Sequence, residues 1–213
     1  MTDIADLSTK DGIIEGEYSS EVIVASATHI PAEVQDERSI SPFNNIKSFE
    51  LAQRMATALS RSTMVPMDYR GSVANCLVAM EMAHRTGISP LMVMQNMFII
   101  QGRPSWSSQF IIAVINASGR FSPLDFVFSA DGQECHCEAI RDGKVVVGPT
   151  VSFEMARAEG WSTKGGSKWK TMPDLMIRYR AAGFFGRVHA PDLLLGLYSE
   201  HESFDIAKQK LNI

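Results

Sequence analysis

The sequence predicts an α+β fold: antiparallel hairpins and a β-meander packed with several helices, as one domain over residues 41–200. A disordered acidic arm (residues 1–40) is expected before it and a short C-terminal tail (residues 201–213) after it. Three observations carry this expectation. Stretches of helical spacing are followed by three β-rich stretches and then by helix again, an order that differs from alternating βαβ units. Asp131-Gly132 and Asp142-Gly143 separate the β-rich stretches, and Asp-Gly is among the strongest short-range hairpin signals. Residues 1–38 hold nine acids against Lys10 and Arg38, a net of −7, and acidic blocks of that kind do not collapse into a core. The whole chain carries −4, so residues 39–213 carry about +3.

The elements follow in order. Residues 21–30 (EVIVASATHI) form a β-favouring piece closed by Pro31, the one candidate strand of the arm. From Asn45, Ile46, Phe49, Met55 and Leu59 recur at roughly helical spacing and are the expected core face of a first helix. Ser72 is placed to cap a second helix that stops at Gly87, and Ser89-Pro90 opens a short third one. The stretch NMFIIQGRPSW reads as strand, glycine turn, strand, after which Ser107 or Ser108 caps a helix running to Gly119. The meander comes next, with Cys135 and Cys137 on one face of its middle strand and His136 and Glu138 on the other. A short helix near Phe153, a glycine-rich loop, a helix capped by Thr171 and a last helix from Pro191 complete the expectation, with the chain fraying after Tyr198.

Composition narrows the function. Hydrophobic content of 45% and charged content of 21% are those of a soluble globular protein, and the three cysteines make no disulfide framework, which fits a reducing cytoplasm. No secretory leader and no membrane-length apolar run is legible. Gly160 and Gly165 have the spacing of a phosphate loop, but Gly166 stands where the lysine is needed and no strand precedes it. The Cys135–Glu138 cluster splits between two strand faces, so it does not read as a metal site. Asp174 and Asp192 are accounted for by helix starts, and no histidine lies beside a recognisable nucleophile motif. No catalysis, cofactor or metal is expected.

Nucleic acid is the better fit. From Arg157 to Arg187 seven cations face two acids, and Trp161, Trp169, Tyr179, Phe184 and Phe185 interleave with them. Cations neutralise phosphates with release of counterions, and aromatic faces accept unstacked bases. Trp161 and the phenylalanines read as core, whereas Lys164, Lys168, Trp169 and Lys170 read as contacts. At 100° per residue Arg180 and Arg187 share one face, with Gly183 between them open to a close backbone approach, while Arg178 points elsewhere. The turn at Gly102 presents Arg103, Ser105 and Trp106 beside a helix start, where free amides suit phosphate.

Several separated pieces resemble the phage RecT/Red-beta family of single-strand annealing recombinases. They are the P-x-x-x-x-Q-N segment from Pro90, the GRPS turn, the W-x-x-M-P stretch leading into an R-x-R-A helix, and a closing piece of Pro191, Asp192, Gly196, Tyr198, Glu200, His201 and Glu202. The likeness covers roughly residues 43–202. It implies a sheet crossed by a long helix, and subunits assembled as a homo-oligomer, either ring or helical filament. It implies ATP-independent binding of single-stranded DNA and annealing to duplex DNA in phage recombination or repair, without catalysis, in the bacterial host cytoplasm. Carried over by motif, Arg103, Ser105, Lys168, Trp169, Lys170, Arg178, Arg180 and Arg187 face DNA. A 5′–3′ exonuclease and a single-strand-binding protein are the implied partners. Members often continue into a C-terminal partner-binding segment and this sequence ends soon after Tyr198, which sets the exonuclease partnership apart. An oligomeric scaffolding protein and a metal-dependent nuclease are the alternatives. Alanine at Lys168 and Lys170, or at Arg180 and Arg187, is expected to abolish annealing while the fold persists.

Overall fold

A computed structural model describes residues 41–211, so the acidic arm and its candidate strand lie outside the described residues. Among the described residues, eight α-helices and six strands follow one another in the expected helix–sheet–helix order.

Helix α1 (Ile46–Ser60) starts at Asn45, whose side chain accepts from the Ser48 amide, and packs on α2 (Val73–Thr86). Its buried face is Ala52, Ala56 and Ser60, not the larger apolar residues that spacing singles out. Ile46 is 79% exposed, and Phe49 and Met55 also face solvent. Small side chains at i, i+4 and i+8 let α1 lie close to α2, so the alanine stripe, not the bulky one, meets the core. Ser72 caps α2 and Gly87 ends it in the left-handed region at φ 69°; Ser89 caps α3 (Pro90–Asn96).

Strands β1 (Met97–Ile100) and β2 (Arg103–Trp106) form a hairpin turned at Gln101 and Gly102, both at positive φ. The Tyr69 hydroxyl donates to the Met97 carbonyl at 2.7 Å and holds the start of β1 to the core. Ser107 is the residue that caps α4 (Ser108–Ala117).

The meander consists of β3 (Asp125–Phe128), β4 (Glu134–Arg141) and β5 (Lys144–Val147), all antiparallel, with β6 (Val151–Ser152) beside the start of β4. Asp142 and Gly143, at φ 53° and 74°, make a two-residue turn whose twist suits a hairpin. The third β-rich stretch breaks after Val147 because Gly148 passes directly beneath Phe185: a β-carbon there would lie 3.0 Å from a ring carbon. On β4, Cys135, Cys137 and Ala139 point inward and are buried, as alternation requires.

Across that inner face lies α7 (Pro173–His189), which also packs against α4. Two shorter helices precede it: α5 (Phe153–Ala158), capped by Ser152, and α6 (Lys168–Thr171), capped by Ser167. Thr171 belongs to α6, so it does not cap α7; Met172 occupies the cap position and offers no side-chain bond. Pro191 opens a series of turns instead of a helix, with Leu195 and Gly196 at positive φ, and Asp192 pairs with Arg120 instead of capping. The expected frayed end is α8 (Glu200–Leu211). Ser199 and Glu202 form a reciprocal cap: the Ser199 amide and hydroxyl donate to the Glu202 carboxylate, and the Glu202 amide donates back. No helix among the described residues is long and apolar enough to cross a membrane.

Candidate nucleic-acid interface

The two cationic stretches, far apart in sequence, come to the two flanks of α8. On one side a groove of about 410 Å³ runs between the β1–β2 hairpin and α8, lined by Phe98, Ile99, Ile100, Gln101, Phe204 and Ala207, with one acid, Asp68, on its wall. Arg103 and Tyr198 border the adjoining cleft. On the other side a cavity of about 280 Å³ opens between α8 and the glycine loop, lined by Lys164, Gly166, Lys168, Arg180, His201 and Asp205 among others. Phe204 borders both spaces and is 53% exposed.

Of the ten candidate residues, three cations stand open to solvent and have no carboxylate partner among the described residues: Arg103 at the hairpin, and Lys168 and Lys170 on α6. Capping of α6 by Ser167, whose hydroxyl also donates to the Trp161 carbonyl, holds the two lysines at the loop's exit. Arg178 is half-buried: it donates to the Asp174 carbonyl, and its guanidinium sits 4.7 Å from the centre of the Phe128 ring. As helix spacing requires, it lies off the face shared by Arg180 and Arg187.

Three candidates are corrected by burial. Ser105 is fully buried and its hydroxyl donates to Ser203 on α8 at 2.6 Å. Trp106 is buried too; its indole donates to the Leu194 carbonyl at 3.0 Å, and its amide donates to the Tyr198 carbonyl. These bonds tie the hairpin to the start of α8, so the second half of β2 is a structural seam, and only Arg103 of that turn is presented. Trp169 is 7% exposed, 5.5 Å from Trp161 and edge-on to Phe153. One turn of helix carries Lys168 and Lys170 outward and must therefore carry Trp169 inward, where an indole removes more apolar surface from water than any other side chain in the loop.

The remaining three cations are met by carboxylates of α8. Arg180 and Lys164 each bind one oxygen of Asp205, the former at 2.6 Å, and Arg187 binds Glu202 at 2.6 Å. The Arg180 side chain is only 5% exposed and lies flat on Trp161, 3.8 Å from the ring centre. Arg187 remains 44% exposed and rests against Tyr198. Spacing placed Arg180, Gly183 and Arg187 on one face, and α8 is what that face meets. The close approach at Gly183 is made by Glu202, 3.5 Å from where a β-carbon would sit. Alanine at Arg180 and Arg187 therefore perturbs packing, so the expectation that this pair can be removed with the fold intact is withdrawn.

Asp205 and Phe204 went unnoticed in the sequence, and His201 and Glu202 were named there only within the closing motif, without a place at the site. A signal was present: Ser199-x-x-Glu202 is a capping box, and the capped segment carries acids in its first turn. His201 sits between Glu200 and the Asp205 cluster; burial is the main cause that lowers its pKa, with Arg180 and Lys164 adding to it and Glu200 and Asp205 opposing. On the middle strand His136 and Glu138 pair with each other at 3.0 Å on the outer face. Among the described residues no three His, Cys, Asp or Glu side chains converge in a metal-holding cluster.

No protein-family model matches the chain, and no curated protein matches it. What can be argued about its activity rests on the residues and their placement.

Proposed function

We propose that the protein binds single-stranded DNA and anneals complementary strands without nucleotide hydrolysis, acting as an oligomer in phage recombination within the bacterial cytoplasm. The observation that carries this reading is that Arg103 and Lys168, both exposed, border clefts on the two flanks of α8, with Phe204 lining the spaces on either side. Residues some 65 positions apart in sequence thereby flank the same helix, and Lys170 adds to the exposed charge of α6. A backbone crossing that helix meets cations at both ends and exposed Phe98 and Phe204 between them, so phosphates are gripped while bases keep an apolar face to rest on. Correct pairing then supplies stacking of about 1.4 kcal/mol per step, which a mismatch forfeits. Many weak grips in an oligomer act together through effective concentration. The uncovered sheet face supports assembly: Ile140, Val145 and Val147 are exposed side by side on it.

The test is annealing of two complementary oligonucleotides, without nucleotide, across a salt series. Lys168→Ala/Lys170→Ala is expected to bind single strands more weakly. Losing two phosphate contacts flattens the log-affinity against log-salt slope by about 1.4. Both side chains are exposed, so its thermal unfolding should match wild type. Wild-type protein that leaves single strands unretarded at low salt would refute the reading. That result would favour an oligomeric structural protein, a second reading supported by the carboxylates that already cover Lys164, Arg180 and Arg187.

A further inference from the structure

Asp205 offers one oxygen to Lys164 and the other to Arg180, the two-point arrangement in which a phosphate diester presents its two unesterified oxygens. Around this carboxylate the structure leaves space: the cavity of about 280 Å³ continues past Asp205 to Gly165, Gly166, Ser167 and Lys168. The helix that carries Asp205 rests on the hairpin through the half-buried Ile206 and Ala207, and its other attachments are polar. Ser203 is bound by Ser105, Glu200 by Ser108, Glu202 by Arg187, and Asp205 by Lys164 and Arg180. The one aromatic side chain of its first two turns, Phe204, stands largely in solvent. Polar and ionic attachments are weakened by salt and exchangeable for another anion in a way that buried apolar surface is not. The first turn of α8 has its own reciprocal cap, so Asp205 can leave while Glu202 stays.

We infer that Lys164 and Arg180 form a phosphate site that Asp205 closes in the free protein, and that a strand opens it by substituting a backbone phosphate for the Asp205 carboxylate. This rests on the single-strand reading above and adds to it a gate: α8 competes with DNA for the same two cations. Free protein then shows fewer phosphate contacts than its sequence charge implies, and gains them as the helix yields.

The experiment compares wild type, Asp205→Asn, Lys164→Ala and the double variant, using a fluorescent 30-mer of thymidylate over a salt series. Asp205→Asn keeps the side-chain shape, removes the competing charge and should bind more tightly. One added phosphate contact steepens the salt slope by about 0.7, worth about 15-fold at about 20 mM salt relative to 1 M. Lys164→Ala should matter little in wild type and should cancel the gain in the Asp205→Asn background, a coupling that a purely structural role would not produce. Should Asp205→Asn fold poorly, wild type carries the test: amide hydrogen exchange of residues 204–207, beyond the capped first turn, is expected to quicken on adding the oligonucleotide. Unchanged affinity in Asp205→Asn, or exchange in α8 that slows or stays constant while the strand binds, overturns the gate and leaves the single-strand reading standing. Inorganic phosphate at matched ionic strength that quickens exchange as well as the oligonucleotide does overturns the assignment to a strand. Absence of binding by every variant removes both readings together.

Discussion

Arg180 ought to behave as a keystone of the fold, and Arg180→Ala measures that. Its guanidinium is almost fully enclosed, bound to Asp205 at 2.6 Å and stacked on Trp161 at 3.8 Å. Truncating one partner of a buried ion pair costs about 3–5 kcal/mol because the other charge is stranded. Two features pull the value toward the lower end: Lys164 remains on Asp205, and the Asp205 carboxylate is 16% exposed. The lost stacking on Trp161 adds about 1 kcal/mol. A total of about 4 kcal/mol is expected, which for a folded unit of this size lowers the melting temperature by about 8–16 °C. Arg180→Lys keeps the charge but loses the planar fork and the stacking, and should fall between the two. Urea titration followed by far-ultraviolet circular dichroism reads all three proteins. Arg180→Ala within about 0.5 kcal/mol of wild type would refute the burial argument. It would also restore Arg180 as a freely exposed DNA contact.

Two further outcomes can be checked on the same footing. Gly148→Ala places a methyl group 3.0 and 3.1 Å from Phe185 atoms and 3.3 Å from the Cys137 carbonyl, all fixed by the core. Overpacking there should cost about 1–3 kcal/mol by the same urea titration, and a neutral result would mean that α7 can shift off the sheet. Burial lowers the pKa of His201 in the folded chain from the ordinary 6.5. The unfolded chain takes up the proton first, so this term is fully present above pH 6.5 and is lost as pH falls through the folded value. Glu200 and Asp205 oppose the shift and Arg180 and Lys164 reinforce it, so all four must be intact for the comparison. The stability of wild type relative to His201→Gln should decline between pH 7.5 and pH 5.5; a flat or rising difference would contradict the burial that causes it.

Much of the architecture was legible from local chemistry. Ser72, Ser89 and Ser107 cap helices because a serine oxygen before an apolar run has an unpaired amide to bind, whatever the rest of the chain does. Asp142-Gly143 turns a hairpin because few other pairs accept two positive φ values. The inward pair Cys135 and Cys137, and the shared face of Arg180 and Arg187, follow from strand and helix period alone.

What periodicity could not supply is what each face meets. Charge and aromatic content made Trp169, Ser105 and Trp106 look like contacts; burial depends on which neighbours close over a residue, and these include Phe153 for Trp169, Ser203 for Ser105, and Phe110 and Leu194 for Trp106. The bulky stripe of α1 lost the core to an alanine stripe because the distance between helices, not the size of a side chain, selects the packed face. Above all, a run of cations reads as vacant in sequence because opposite charges 15 to 41 residues away have no visible address. Only the folded chain brings Asp205 and Glu202 onto Lys164, Arg180 and Arg187, since Coulomb attraction acts through space and the spacing along the chain does not measure it.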